Sequence, residues 1–211
     1  MGTIERYNKI VIGIDQSLKC TGISIVADGK IKNVVSESYN ECKTDTDKRS
    51  TLYKRVYTAI HTAKQRSDNV IVIMERIRLK SAGFIDINVI KAMAGLCCTI
   101  TDCCVNNGIQ AYTVDTASWK AQVVGSAKKQ DNSYGIDPKK WLTMKYLVSN
   151  GYEQYILQEV SPRKKTSIVK VVHNSNGTVT RYTYNDNKAD SMCIGLYGFI
   201  SPDLQKLHPE K

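Results

Sequence analysis

The sequence predicts an α/β domain built on a mixed five-stranded sheet with helices on both faces. Three observations carry that expectation. First, the apolar run Ile10-Val11-Ile12-Gly13-Ile14 ends in Asp15-Gln16-Ser17, and Gly22-Ile23-Ser24-Ile25-Val26 follows after a tight turn, which reads as an opening strand pair. Second, Val70-Ile71-Val72-Ile73-Met74 is unbroken by polar residues and leads straight into Glu75, so it belongs at the centre of a covered sheet. Third, segments of helical period alternate with the later strands, the order of a sheet layered with helices.

Each element follows from local pattern. Residues 9–15, 20–28 and 31–40 read as three strands, the last two joined by the turn Ala27-Asp28-Gly29-Lys30. Asp47 to Arg66 reads as a helix with Leu52, Val56, Ile60 and Ala63 on one stripe. Residues 69–75 form the fourth strand, 86–106 a long helix, and Ile109 to Val114 the fifth strand between Gly108 and Asp115. Two further helices, 116–124 and 137–150, flank a polar loop at 125–136, with Pro138 well suited to the first turn of the second. Residues 151–165 carry little pattern. A hairpin follows, Ser167 to Val172 and Thr178 to Tyr184 around Asn174-Ser175-Asn176-Gly177, and helix Asn187 to Ile200 closes the domain. With no internal repeat and no composition break, 1–211 is expected to be a single domain in which 151–185 is a basic insertion with an extra C-terminal hairpin.

Composition narrows the function. The 211 residues carry a formal charge of +10, with a pI near 9.2, an excess that favours a polyanionic partner. The cations recur beside the acidic positions: Arg76, Arg78 and Lys80 after Glu75, then Lys120, Lys128, Lys129, Lys139, Lys140 and Lys145. Seven cysteines at irregular spacing do not form a disulfide framework. Cys97-Cys98 and Cys103-Cys104 lie in one helical run, where neighbours point about 100° apart, so the four cannot meet one zinc ion. Reduced core thiols imply a cytoplasmic setting. No stretch of eighteen apolar residues spans a membrane. The N-terminus lacks a secretory pattern, and Arg6 stands where myristoylation after Gly2 wants Ser or Thr.

The acids carry the chemistry. Asp15 and Glu75 both end apolar strands, where sheets of this kind place their sites. Asp190 lies inside the last helix, and Asp186 four residues earlier shares its face, with Asn187 close by. Phosphodiester hydrolysis at neutral pH needs an activated water and cover for the leaving oxygen, which two magnesium ions about 3.5–4 Å apart supply. Such hard ions take carboxylate oxygens. The expected ligands are Asp15 between the ions, Glu75 on one, and Asp186 and Asp190 on the other. The plainer alternatives are Asp186 as a helix N-cap and Asp190 as a solvated surface acid.

From Lys9 to Phe199 the chain resembles the RuvC-type Holliday junction resolvases of the ribonuclease H-like superfamily, most closely their phage and viral branch. Ile12-Gly13-Ile14-Asp15-Gln16-Ser17 with Thr21-Gly22 resembles the family's opening strands and first catalytic acid. Glu75 matches the second acid, and Lys188-Ala189-Asp190-Ser191 is similar to the closing acidic motif. Trp119-Lys120-Ala121-Gln122-Val123-Val124-Gly125 resembles the segment that sets a basic residue near the scissile phosphate, which implies that role for Lys120; Lys139 or Lys140 resembles a second lysine.

The resemblance implies a metal-dependent endonuclease acting on branched DNA, with two Mg2+ per site (Mn2+ able to substitute). It also implies a homodimer formed through helix 86–106, working in the cytoplasm, of the host if phage-encoded. Departures are Asn187 where the family carries Asp or His three residues before the last acid, Arg78 in place of an aromatic wedge (with Phe84 a weak substitute), and the insertion, whose Arg163, Lys164, Lys165, Lys170 and Arg181 either extend the DNA surface or pad a sheet edge. Two other readings stand beside it. One is an actin-like or sugar-kinase phosphotransferase, weakened because no Gly follows Asp15 within two residues. The other is a junction-binding protein whose catalysis Asn187 weakens.

Overall fold

The structure, a computed structural model, describes residues 4–77, 86–125, 135–161, 167–201 and 208–209. Arg78, Lys80, Phe84, Lys128, Lys129, Arg163, Lys164 and Lys165 lie outside them.

The five expected strands are present as β1 (Ile10–Asp15), β2 (Cys20–Ala27), β3 (Lys30–Ser38), β4 (Val70–Glu75) and β5 (Gln110–Val114). Their spatial order is β3-β2-β1-β4-β5, with β1, β4 and β5 parallel and β2 antiparallel to both its neighbours. A two-residue strand, β9 (His208–Pro209), adds a short sixth member beside β5, in a segment with no strand signal of its own. Asp28 and Gly29 both take positive φ in the β2–β3 turn, the geometry that suits a two-residue hairpin. The Asp28 carboxylate ties this turn back by accepting from the Lys9 and Asn8 backbone N–H groups.

Alternate residues of β1 feed two cores. Ile10, Ile12 and Ile14 join Leu52, Val56 and Ile60 of α1 (Asp45–Lys64) and Leu96, Ile100, Cys103 and Cys104 of α2 (Ile87–Asn106) on one face. Val11 and Ile73 join Trp119, Trp141, Met144, Met192 and Ile194 on the other. Helix α1 begins two residues before the sequence suggests, because Thr44 is its N-cap and Asp47 completes the capping box from the third helical position. The cysteines are free, with Cys103 and Cys104 buried as core residues and their thiols pushed up by burial to about 11 and about 12.

By length and composition α2 is apolar enough to cross a membrane, although it holds no unbroken run of eighteen apolar residues. Lys91 and Asp102 interrupt its apolar residues, so counting an unbroken run overlooks it. One of its faces packs on the sheet, while Ile87 at 61%, Val105 at 67% and Cys98 are exposed on the rest.

Beyond β5 the chain forms α3 (Thr116–Trp119), a π-helical turn at Lys120–Val124, α4 (Pro138–Ser149), α5 (Glu153–Ile156), then β6 (Leu157–Glu159), β7 (Lys170–His173), β8 (Val179–Tyr184) and α6 (Asp186–Ile200). The expected hairpin is β7–β8. It does not pad the edge of the main sheet: with β6 it makes a separate sheet of order β6-β8-β7. That sheet is tied to the start of α6, since the Asn185 N–H donates to the Ile156 carbonyl at 2.8 Å and its side-chain amide donates to Gln158 Oε1 at 2.8 Å.

Helix α6 lies directly on the backbone of β1 and β2. A Cβ on Gly22 would fall 2.0 Å from the Asn187 carbonyl oxygen, and one on Gly13 2.3 Å from that of Ser191. The Ser24 hydroxyl uses this closeness, donating to the Ser191 carbonyl at 2.7 Å. Replacing Gly22 by Ala forces α6 off the sheet and should cost about 2–4 kcal/mol. Urea unfolding measures this, and an unchanged midpoint would show that the contact is not closely packed.

Candidate active site

The strand pairing brings the first two acids together. Gly13 is paired with Ile73 and Ile14 with Met74 across the parallel β1–β4 ladder, so the next residues, Asp15 and Glu75, emerge side by side at its C-terminal end. Both share the alternation of Val11 and Ile73, and therefore face α6. On α6, Asp190 follows Asn187 by three residues and precedes Ser191, the two residues pressed on Gly22 and Gly13, so it reaches the same edge. Asp186 is the first residue of that helix. Asn185 is the N-cap, its side chain accepting from the Lys188 N–H, which excludes the reading of Asp186 as the cap.

Electrostatics shows the convergence. Asp15 and Asp190 are both half-buried. Burial, then the negative charges of Asp190, Glu75 and Asp186, push the Asp15 carboxyl well above the usual carboxylate range, with Lys120 opposing. Burial pushes Asp190 up to about 6; Lys120 pulls it down, Glu75 and Asp186 push it up, and the Thr143 hydroxyl works against the rise. The plain reading of Asp190 as a solvated surface acid therefore fails.

Each remaining acid has a protein partner. Glu75 accepts from the Thr116 hydroxyl at Oε1 and from the Trp119 indole at Oε2, the latter at 3.2 Å. Gln16, 6% exposed, donates its amide to the Glu75 carbonyl and lies 3.4 Å from Cys97 Sγ, linking the ends of β1 and β4 to α2. Asp186 pairs with Lys140, whose ammonium is pushed above its ordinary pKa first by this hydrogen bond. No three His, Cys, Asp or Glu side chains among the described residues form a ready-made cage. The donor set still fits a hard divalent cation: it is all carboxylate oxygen, partly desolvated, with negative charges that act on one another.

Of the expected basic residues, Lys120 acts electrostatically on Asp15 and Asp190, lowering both, with its ammonium 4.9 Å above the Trp119 ring. Lys139 and Lys140 are exposed at the start of α4. Arg76 is paired with Asp115 at 3.5 Å. The supporting roles of Gln16, Thr116 and Trp119 escaped sequence reasoning. Gln16 beside Asp15 was the available signal, whereas the contacts of Thr116 and Trp119 span more than forty residues.

This combination defines a class: a mixed α/β fold with a cluster of carboxylates at the C-terminal edge of its central strands. Solved structures of the same fold include those of RuvC from Thermus thermophilus. The RuvC structure determined in complex with Holliday junction substrate superposes with a TM-score of 0.61 at 12% identity, covering 96% of this chain and 100% of that one. A further Thermus thermophilus RuvC structure gives 0.60 at 13%, covering 95% and 99%. The yeast mitochondrial Holliday junction resolvase Ydc2 gives 0.49 at 15%, covering 91% and 78%. No protein-family model and no curated protein sequence matches the chain.

The raised carboxyls set a pH dependence for the metal-free protein. A carboxyl with a higher pKa folded than unfolded binds extra protons in the native state, so stability falls as pH rises from about 4 to about 6. Asp190→Asn removes this cost and should stabilise the chain above pH 6 by about 1–3 kcal/mol while changing little below pH 4. Thermal unfolding against pH, with chelator present, checks it; equal curves for the two proteins would deny the burial of Asp190.

Proposed function

We propose that this chain is a metal-dependent endonuclease that resolves four-way DNA junctions as a homodimer. The observation that carries the reading is the acidic cluster around Asp15, whose members raise one another's affinity for positive charge. The shared fold with a protein solved on Holliday junction substrate supports the substrate class, and the charge of +10 supports a DNA partner.

Asp15, Glu75 and Asp190, with Asp186 or Asn187, would hold two Mg2+, for which Mn2+ can substitute. These ions supply Lewis acidity toward the attacking water and the leaving oxygen. Lys120 offsets charge developing on the phosphate. Lys139 and Lys140 grip flanking phosphates, as do Arg76, Arg78, Lys80, Lys128 and Lys129 in the same reading. The apolar exposed side of α2 is the surface through which two copies pair, so that each cuts one strand of a two-fold substrate. The setting is cytoplasmic, that of a host cell for a phage-encoded chain.

Labelled four-way junction and linear duplex, incubated with and without Mg2+ or Mn2+ while ATP is followed in parallel, test the reading. Paired cuts in the junction only with metal are expected, and Asp15→Asn should abolish them while leaving junction binding intact. ATP turnover without cutting would favour a phosphotransferase instead. Binding with no product in either metal would favour a non-catalytic junction protein. Lys139→Ala should weaken binding to all DNA and make its salt dependence shallower by about one counterion, as read by fluorescence anisotropy at several salt concentrations.

A further inference from the structure

Trp119 touches two parts of the site at once. It is fully buried. Its indole N–H donates to Glu75 Oε2 at 3.2 Å, while the face of its ring lies 4.9 Å below the Lys120 ammonium. Trp119 and Lys120 both keep right-handed helical backbone angles, so their side chains leave the backbone about 100° apart and the long lysine side chain bends back over the neighbouring ring. Beyond Lys120 the chain passes from α3 into a π-helical turn, closed by the Gly125 N–H donating to the Lys120 carbonyl at 3.0 Å.

A carboxylate offers about four lone-pair positions over two oxygens. Thr116 takes one on Oε1 and Trp119 one on Oε2. This anchors both oxygens and leaves each with a free direction. We propose that Trp119 is a positioning residue that couples the orientation of Glu75 to the placement of Lys120, so that cation capture and phosphate charge stabilisation are set by one side chain. The inference deepens the nuclease reading and rests on it. The indole N–H holds the carboxylate still for a divalent ion. The ring face holds the ammonium near Asp15 and Asp190 without pairing it to either, which keeps it available to a phosphate.

The test compares the full-length wild type with Trp119→Phe, which loses the donor and offers the ammonium a smaller, weaker ring face. Binding of Mn2+ alone is measured by calorimetry on DNA-free protein, and single-turnover junction cleavage is measured across a Mn2+ titration. Partners that orient a metal ligand contribute about 10–100-fold to metal affinity or activity. The expected result is Mn2+ affinity reduced by about tenfold or more, a matching rise in the Mn2+ midpoint for cleavage, and unchanged junction affinity. Lys120→Gln is then made in both backgrounds, and its effect on the cleavage rate should be smaller in the Trp119→Phe protein than in the wild type.

A second measurement does not depend on how the Trp119→Phe protein folds: Lys120→Gln in the wild type should shift the tryptophan emission, because it removes a cation from the indole face. Unchanged Mn2+ affinity in Trp119→Phe, equal Lys120→Gln effects in both backgrounds, or unaltered emission would overturn the coupling. A wild type that binds no Mn2+ and cuts no junction defeats the nuclease reading and this inference with it. A wild type that does both, beside a variant that matches it, defeats the inference alone.

Discussion

The backbone-to-backbone contact between α6 and the β1–β2 pair is the constraint on which the rest of the structure depends. Gly13 and Gly22 leave no Cβ between the sheet and the helix, and Gly195 does the same from the helix side, where a Cβ would lie 2.7 Å from Val26 Cγ2. A helix packed on ordinary side chains would stand farther off. At this distance Asp190, late in the sequence, comes within electrostatic reach of Asp15, near its beginning. The Ser24–Ser191 hydrogen bond fixes the helix in register as well as in height.

That closeness opposes stability in the metal-free protein. Bringing carboxylates together where water is partly excluded raises their pKa values. The protein meets this locally rather than removing it: Lys140 takes Asp186, Thr116 and Trp119 take Glu75, and Lys120 stands over the remaining pair. Asp15 and Asp190 are the acids whose carboxyls burial and neighbouring negative charge push upward.

The surroundings of the site divide by origin. Residues on β1, β4 and α6 carry its oxygens, whereas α3, the π-helical turn and α4 carry the groups that neutralise or orient them. The small β6-β8-β7 sheet belongs to neither group. It joins the site through Asn185, which at once caps α6, bonds Gln158 of β6 and receives the end of β8. The insertion is thus built into the start of the helix that bears Asp186, not appended to the outer edge of the main sheet.

Much of the fold was legible in the sequence, and so were the chain positions of the four acids, Asp15, Glu75, Asp186 and Asp190, that act on one another in the structure. The apolar runs of β1 and β4 end in Asp15 and Glu75, and their lengths fix which face each acid takes, because alternation along a strand is a local property. What was not legible depends on contacts between distant segments or on competing local signals. The start of α1 turned on a capping box that reads equally well as a helix beginning at Asp47. The β9 strand has no pattern because two residues pair only where β5 offers a free edge. The sequence by itself determined the layered α/β class, the strand-end acids and the basic character, since periodicity, composition and charge need no knowledge of partners. Only the tertiary structure decided that Asp186 pairs with Lys140, that Asn185 rather than Asp186 caps α6, and that Trp119 bridges Glu75 and Lys120. Those outcomes depend on the height and register at which α6, α3 and α4 settle on the sheet, which glycines and buried side chains set jointly across more than a hundred residues.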